Sequence, residues 1–243
     1  MSGYGRESMM PYGVKWLLIS NVALFVLYFF AVQTGYGAAF HYFGLIPRAV
    51  VSLLTIWQLV TYMFLHDPYG FGHIVFNMLA LWMFGKDLES AWGTKRFLQY
   101  YFICGIGAGI CVVLMNAAFG SMESRTIGAS GAIYGLLLAF GMMFPDTTVL
   151  FSFLFPIKAK YFVMIIGAIA FLSTFGSTGG GVSHVAHLGG MIWGYLYLKS
   201  RYVKVDILGT LGRQYRDWKL HRAKKKFQVY LKKKGDGPGP WVN

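Results

Sequence analysis

The sequence predicts an all-α membrane protein, a bundle of six transmembrane helices with an interfacial loop between the first two. The 243 residues are 56% hydrophobic and only 13% charged, whereas a soluble domain carries about 25% charged residues. The mean hydropathy is +0.51. Six apolar runs are long enough to form helices, and the basic residues favour one side of them. Together these observations exclude an ordinary soluble domain.

The six runs are poor in charged residues and lie at roughly 14–33, 71–85, 97–118, 130–144, 159–176 and 182–199. Two of them, 71–85 and 130–144, are clearly short for an average span of roughly 20 residues, which a bundle or a locally thinned bilayer accommodates. The first run follows a polar, glycine-rich segment without a cleavable signal pattern. We expect an N-terminal segment at 1–13, a membrane domain at 14–199 and a basic tail at 200–243.

The apolar stretch 44–65 is interrupted by polar residues that suit a membrane surface better than a membrane interior. It contains Pro47, Arg48 and Gln58, with aromatic residues among them. We therefore expect a long loop whose short helices lie in the outer surface of the membrane. A seventh span through this stretch is the alternative.

The distribution of basic residues predicts the topology. With six spans and both termini in the cytoplasm, 20 Lys and Arg lie in cytoplasmic segments and 2, Arg48 and Arg125, lie outside. This asymmetry follows the positive-inside rule, and a seventh span would break it. From Lys199 onward there are 13 Lys and Arg against 3 Asp and Glu. We expect this tail to contact anionic lipid headgroups rather than nucleic acid.

Polar side chains gather at the outer ends of three predicted helices. Ser130 opens the fourth run, His73 and Asn77 lie in the first turns of the second, and His184 and His187 lie in those of the sixth. All three helices run inward, and His187 lies roughly 7 Å into its helix at 1.5 Å per residue. Polar groups inside a membrane are costly and tend to be functional. Their common depth therefore predicts a site.

Taken one at a time, these residues have simpler explanations. A serine in an apolar helix usually hydrogen-bonds its own backbone, and Asn77 alone would serve as a polar link between helices. The glycine spacing favours the site. His187, Gly190 and Gly194 form one stripe at i, i+3 and i+7, and such a small-residue stripe allows another helix to approach closely.

The fourth run offers a matching surface. Ser130 and Tyr134 share a face at i and i+4, and Gly131 supplies a small patch beside them. Glycine on both helices would let the short serine side chain reach an imidazole.

These residues suit acyl transfer. Ser130 becomes a nucleophile when a base takes its proton, and neutral His187 is the available base. The unpaired backbone N–H of Ser130, at the start of a helix, and the side chains of His73 and Asn77 are placed to stabilise an oxyanion. No acidic residue lies near His187 in the sequence, which predicts a dyad. Tyr134 is placed to stack on the imidazole.

With these motifs the chain resembles the rhomboid family of intramembrane serine proteases. The matching motifs are GASGAIYG at 128–135, HIVFN at 73–77 and AHLGGMIWG at 186–194, supported by WQLVTYMFLH at 57–66. The resemblance covers roughly residues 14–199. It implies an intramembrane serine endopeptidase without a metal or other cofactor, cutting single-span membrane proteins near the outer surface.

The resemblance also implies roles for individual residues. Ser130 would be the nucleophile and His187 the general base, and an oxyanion hole would consist of His73, Asn77 and the Ser130 amide. Tyr134 would pack on the imidazole, and Glu89 would be a structural acid at the cytoplasmic end of the second helix. The supporting glycines are Gly128, Gly131, Gly190 and Gly194.

Two further implications concern the membrane elements. The fifth span would move to admit substrate sideways, and the basic arrangement of six spans suggests a bacterial inner membrane. Many family members carry Trp-Arg where this chain has Trp57 and Gln58, which leaves the arginine's contacts open. The oligomeric state is open as well.

Two other functions fit parts of the sequence. A catalytically silent rhomboid-like protein would bind or escort membrane clients, although such members lose the Ser or the His that this chain retains. A metal-dependent protease or transporter would use four histidines, but the sequence contains no H-E-x-x-H motif. The four histidines are His66, His73, His184 and His187.

Overall fold

The computed structural model describes residues 10–151, 155–176, 181–202 and 219, and most of them are helical. In chain order the elements are α1 (Tyr12–Gln33), a 3₁₀ helix (Gly37–Phe43), α2 (Pro47–Ser52), α3 (Gln58–Thr61), a second 3₁₀ helix (Tyr62–Phe64), α4 (Phe71–Trp92), α5 (Thr94–Phe119), α6 (Ser130–Met143), β1 (Thr148–Phe151), β2 (Phe155–Lys158), α7 (Ala159–Gly176) and α8 (Gly181–Tyr202). Each of the six predicted runs forms one of the long helices. The stretch 44–65 forms only short helical turns.

The helix ends differ most from the prediction in α4, which continues to Trp92. The predicted apolar run ends at residue 85, and the helix continues beyond it because Leu88 and Glu89 are buried and keep it packed. Among the described helices, α1 and α5 are long and apolar enough to cross a membrane, while Ser130–Met143 and Ala159–Thr174 are apolar but shorter. The count of six spans stays a prediction.

A two-stranded antiparallel hairpin between α6 and α7 departs from the predicted all-α fold. β1 pairs with β2, with Thr148 opposite Lys158. The carboxylate of Asp146 accepts hydrogen bonds from the ammonium groups of Lys158 and Lys160 at 3.2 and 2.9 Å. The strands escaped the sequence analysis because each has only four residues, too few for a periodic pattern.

The sequence GIGAG at residues 105–109 contains three glycines that let other elements approach α5. A side chain at Gly105 would collide with Met63, and one at Gly107 would collide with Trp193 of α8. A Cβ at Gly109 would lie 3.2 Å from the Tyr62 ring. Close packing therefore explains this run, and it brings the loop and α8 onto the same helix.

Glu89 connects three helices at the far end of α4 from His73, roughly 24 Å along the helix. Its carboxylate is 3% exposed and accepts hydrogen bonds of 2.7 Å from the backbone N–H groups of Gly13 and Val14. The hydroxyl of Thr94 also donates to it. Glu89 thus lies apart from the predicted site and caps the start of α1.

The chain divides into two compact units, residues 1–199 and 200–243. Only 200–202 and 219 of the second unit are described. The predicted tail with its lipid contacts, and residues 1–9 of the predicted N-terminal segment, fall outside the described residues. The predicted domain limits stay a prediction.

Candidate active site

Ser130 begins α6 two residues after Gly128, whose backbone has an unusual conformation. Gly128 has φ +122°, a backbone conformation that residues with a Cβ rarely adopt. A Cβ there would lie 3.0 Å from Cε1 of His73. The Gly128 N–H donates to the Tyr62 carbonyl at 2.9 Å. Glycine therefore allows the chain both to turn into the helix and to pass close to His73.

The hydroxyl of Ser130 lies beside the imidazole of His187. Their Oγ and Nε2 atoms are 2.9 Å apart, although 57 residues separate them in the chain. The helices come this close because Gly190 has no side chain. A Cβ at this position would collide with the Gly131 carbonyl oxygen. Gly194, the next residue of the stripe, lies against Tyr100 of α5. The glycine stripe thus packs on two helices and brings α8 within reach of Ser130.

The imidazole of His187 is held from one side by an aromatic ring. Tyr134 stacks on it with ring centroids 3.9 Å apart and an interplanar angle of 4°. Within the described residues, the buried Nδ1 of His187 has no hydrogen-bond partner. When Nε2 accepts the serine proton, Nδ1 carries the ring's own hydrogen. Among the described residues, this is a serine–histidine pair with no carboxylate bound to the imidazole.

A cavity of about 380 Å³ opens onto the pair. His73 and Asn77 of α4 both line it, and Asn77 is 7% exposed. The Nδ2 of Asn77 has no acceptor among the described residues. A buried donor without a partner requires an explanation, and an oxygen atom of a bound molecule would supply one. The cavity lining also includes Tyr62, Phe76, Thr126, Ile127, Gly128 and Ala186.

A second cavity of about 310 Å³ adjoins the first and shares Phe76, Asn77 and Tyr134 with it. Its walls are mostly apolar side chains of α4, α6 and α7, and β1 contributes Val149 and Leu150. The polar site therefore borders an apolar space between helices.

The four histidines considered above as metal ligands form two pairs. The rings of His66 and His73 lie 5.2 Å apart, and those of His184 and His187 lie 5.9 Å apart. Across the described residues, no three His, Cys, Asp or Glu side chains converge as metal ligands. The arrangement gives the metal-site alternative no support.

His66 is fully buried. Burial, and to a smaller extent the neighbouring His73, lowers the pKa of His66 to about 4.

Gln58 holds the loop at the position where an arginine was expected from the resemblance. It is 2% exposed, and its Oε1 accepts a hydrogen bond from the Ile46 N–H at 3.0 Å. Its Nε2 donates to the Tyr42 carbonyl at 3.2 Å. The sequence did not predict this role of Gln58. It also did not predict that Thr126 and Ile127 line the cavity, because these two residues precede α6 and stand at no helical spacing from Ser130.

Comparison with known proteins gives one family. A family model described as a Rhomboid domain matches residues 53–202. The chain is 33% identical over 129 residues to "Rhomboid protein 1, mitochondrial" of Saccharomyces cerevisiae, covering 52% of this chain and 37% of that protein. It is 31% identical over 178 residues to "Rhomboid protease GluP" of Bacillus subtilis, covering 72% of this chain and 32% of that protein.

A third relative is "Putative rhomboid protease YdcA" of Bacillus subtilis, 33% identical over 143 residues, which cover 58% of this chain and 64% of that protein. The chain thus spans between about one third and two thirds of the length of these curated relatives.

Proposed function

The chain belongs to the rhomboid family, and from this membership we propose that it is an intramembrane serine endopeptidase that cleaves transmembrane segments of other membrane proteins. The observation that carries the proposal is the 2.9 Å separation of Ser130 Oγ and His187 Nε2 at the wall of a cavity. The names of the two Bacillus relatives, which describe them as proteases, support it.

The first half of the reaction forms an acyl-enzyme. Oγ of Ser130 attacks the scissile carbonyl carbon while its proton passes to Nε2 of His187. A C–O bond forms, and the carbonyl π electrons move to its oxygen. When this tetrahedral intermediate collapses, the C–N bond breaks and the leaving amine takes the proton from Nε2. An ester remains on Ser130.

The developing oxyanion needs hydrogen-bond donors before the reaction begins. The backbone N–H of Ser130 lies at the start of α6, where helical N–H groups have no acceptor within the helix and carry its positive dipole end. The unpartnered Nδ2 of Asn77 and the ring of His73 line the same cavity. We assign these three groups to the oxyanion hole.

The second half releases the product. Nε2 of His187 takes a proton from water as the water oxygen attacks the ester carbon, and the oxyanion forms again. Collapse breaks the bond to Oγ, which recovers its proton from Nε2. The free carboxylic acid leaves, and the Tyr134 ring keeps the imidazole in its plane throughout both halves.

The membrane setting belongs to the same proposal. Six spans with both termini in the cytoplasm, in a bacterial inner membrane, would place Ser130 near the outer surface. Single-span proteins are the proposed substrates, and the apolar cavity beside the site suits a membrane segment. The basic tail would contact anionic lipids. The serine mechanism needs no metal or cofactor.

Cleavage of a model single-span substrate by the purified full chain in detergent tests the proposal. We expect cleavage by the natural chain, none by Ser130→Ala or His187→Ala, and labelling of Ser130 by a fluorophosphonate. Undiminished cleavage by Ser130→Ala would refute the mechanism. A folded chain that binds the substrate but neither cleaves it nor takes the label would instead be a silent client-binding member of the family.

A further inference from the structure

Arg125 lies five residues before Ser130 and reaches away from the catalytic pair into the loop after α1. We infer that Arg125 is a positioning residue, which ties residues 37–46 to the segment that presents Ser130. The inference rests on the proposed function for its effect on turnover, but the connection itself is a property of the fold.

The guanidinium of Arg125 joins two elements. Its Nη1 donates to the hydroxyl of Tyr28 in α1 at 3.2 Å, and its Nη2 donates to the Phe40 carbonyl at 3.0 Å. It also lies over the Tyr28 ring, 5.7 Å from the centroid. Tyr28 in turn stacks on Phe40 with centroids 4.5 Å apart. One side chain therefore contacts both α1 and the loop.

The loop backbone comes close to the arginine at Gly44. A Cβ at this position would collide with Nε of Arg125. The arginine side chain therefore lies in a space that a glycine opens, rather than on an open surface.

Other side chains hold the neighbouring carbonyls of the loop from a different segment. The Tyr42 carbonyl accepts hydrogen bonds from Trp57 and Gln58, both at 3.2 Å. The Phe43 carbonyl accepts one of 2.7 Å from the Thr61 hydroxyl. Residues 57–61 thus fix one part of the loop, and Arg125 fixes the Phe40 carbonyl from the catalytic segment. A guanidinium donates in fixed directions, so it fixes orientation as well as distance.

Backbone hydrogen bonds carry this connection toward the nucleophile. Thr126, next to Arg125, exchanges two hydrogen bonds of 2.9 Å with Leu45. Two residues later, the Gly128 N–H is held by the Tyr62 carbonyl, and Gly128 passes directly beside His73. The segment 125–128 is therefore fixed at successive points before α6 begins. Loss of the Arg125 hydrogen bonds would therefore let Ser130 shift relative to the oxyanion donors.

Turnover kinetics of the full chain in detergent with a single-span substrate test this inference. Arg125→Met keeps an unbranched apolar stem and removes the donors. We expect it to lower kcat by roughly tenfold with KM changed by less than about threefold, because misplaced reacting groups slow chemistry more than binding. Arg125→Lys, which retains the charge and one donor group, should recover part of kcat.

Arg48→Met is the matched control. The side chain of Arg48 pairs with Glu123 at the surface, where both are more than half exposed, and its backbone N–H bond to Met122 survives the substitution. We expect kcat within about twofold of the natural chain, since exposed ion pairs contribute little. All rates are measured well below each variant's thermal unfolding midpoint, so that loss of folded protein does not enter kcat.

Hydrogen–deuterium exchange supplies a readout that does not need activity. Arg125→Met should accelerate amide exchange in both 37–46 and 122–129, and Arg48→Met should not. Unchanged exchange in these two segments, or an unchanged kcat in folded Arg125→Met, overturns the inference. If the natural chain neither cleaves nor labels, the proposed function fails, and the exchange result alone decides whether Arg125 ties the loop to the catalytic segment.

Discussion

Gly190 of α8 lies so close to Gly131 of α6 that a methyl group at position 190 would collide with the Gly131 carbonyl oxygen. This contact sets the separation of the two helices one turn away from His187. The hydrogen bond between His187 and Ser130 therefore depends on the absence of a side chain at a position that takes no part in chemistry.

Replacing Gly190 with alanine should reduce cleavage by roughly 100-fold, because a displacement of about 1 Å at a reacting group costs that much. The measurement is kcat/KM with a model single-span substrate, combined with fluorophosphonate labelling of Ser130. Gly167→Ala in α7 is the control, since its Cβ would meet only the flexible end of Met191, at 3.1 Å. Equal rates for the two variants would contradict the role assigned to the glycine contact.

Tyr134 should act through its ring rather than its hydroxyl. Tyr134→Phe preserves the face that stacks on His187 at 3.9 Å and should keep kcat within about threefold. Tyr134→Leu removes a contact worth about 1 kcal/mol and frees the imidazole to turn, so kcat should fall by roughly tenfold or more. If the phenylalanine variant were as slow as the leucine variant, the hydroxyl would be the functional group.

Glu89 should contribute to stability without contributing to chemistry. Glu89→Ala leaves the N–H groups of Gly13 and Val14 buried without their acceptor, which should cost about 3 kcal/mol of unfolding free energy. The unfolding midpoint in detergent measures this loss, and kcat per folded molecule should be unchanged. Asp87→Asn, in the same helix, is the control, because the structure shows no hydrogen bond to Asp87 among the described residues.

Acidification should destabilise the fold through His66. Its pKa is about 4 in the folded chain and about 6.5 when unfolded, so the unfolded chain binds the proton first. The stabilisation is complete above pH 6.5 and is lost as the pH falls toward 4, by at most roughly 3 kcal/mol. The unfolding midpoint, measured between pH 7.5 and 4.5, should fall with this loss of stability between the unfolded and the folded pKa of His66.

The variant His66→Gln should flatten this pH dependence, because the titrating group is gone. His41→Gln removes an exposed histidine and should leave the dependence as it is in the natural chain. A pH profile that is unchanged in His66→Gln would assign the acid sensitivity to other groups, with neighbouring His73 the next to replace.

Cleavage should not depend on a metal ion. Millimolar EDTA or 1,10-phenanthroline should leave the rate unchanged, while a fluorophosphonate abolishes it, because Ser130 is the proposed nucleophile and His187 the base. If the chelators inhibited cleavage and added zinc restored it, the result would instead support the histidine metal site.

Local sequence was enough to predict most of the helices, since each long apolar run is longer than a strand and carries few charges. It was not enough for the end of α4, where Glu89 is polar yet buried, or for the four-residue strands β1 and β2. In these places contacts with distant residues outweigh local composition, and a local pattern does not contain those contacts.

The sequence by itself determined the residue types of the candidate site and their place near the starts of three helices. Ser130, His73, Asn77 and His187 stand near helix starts, and helical spacing alone places His187 on one stripe with Gly190 and Gly194. Only the tertiary structure decided that Gln58 holds the loop through the Ile46 N–H and the Tyr42 carbonyl. It also decided that Arg125 reaches back to α1. Such contacts join residues far apart in the chain, and their distances follow from how the helices pack rather than from the spacing within any one of them.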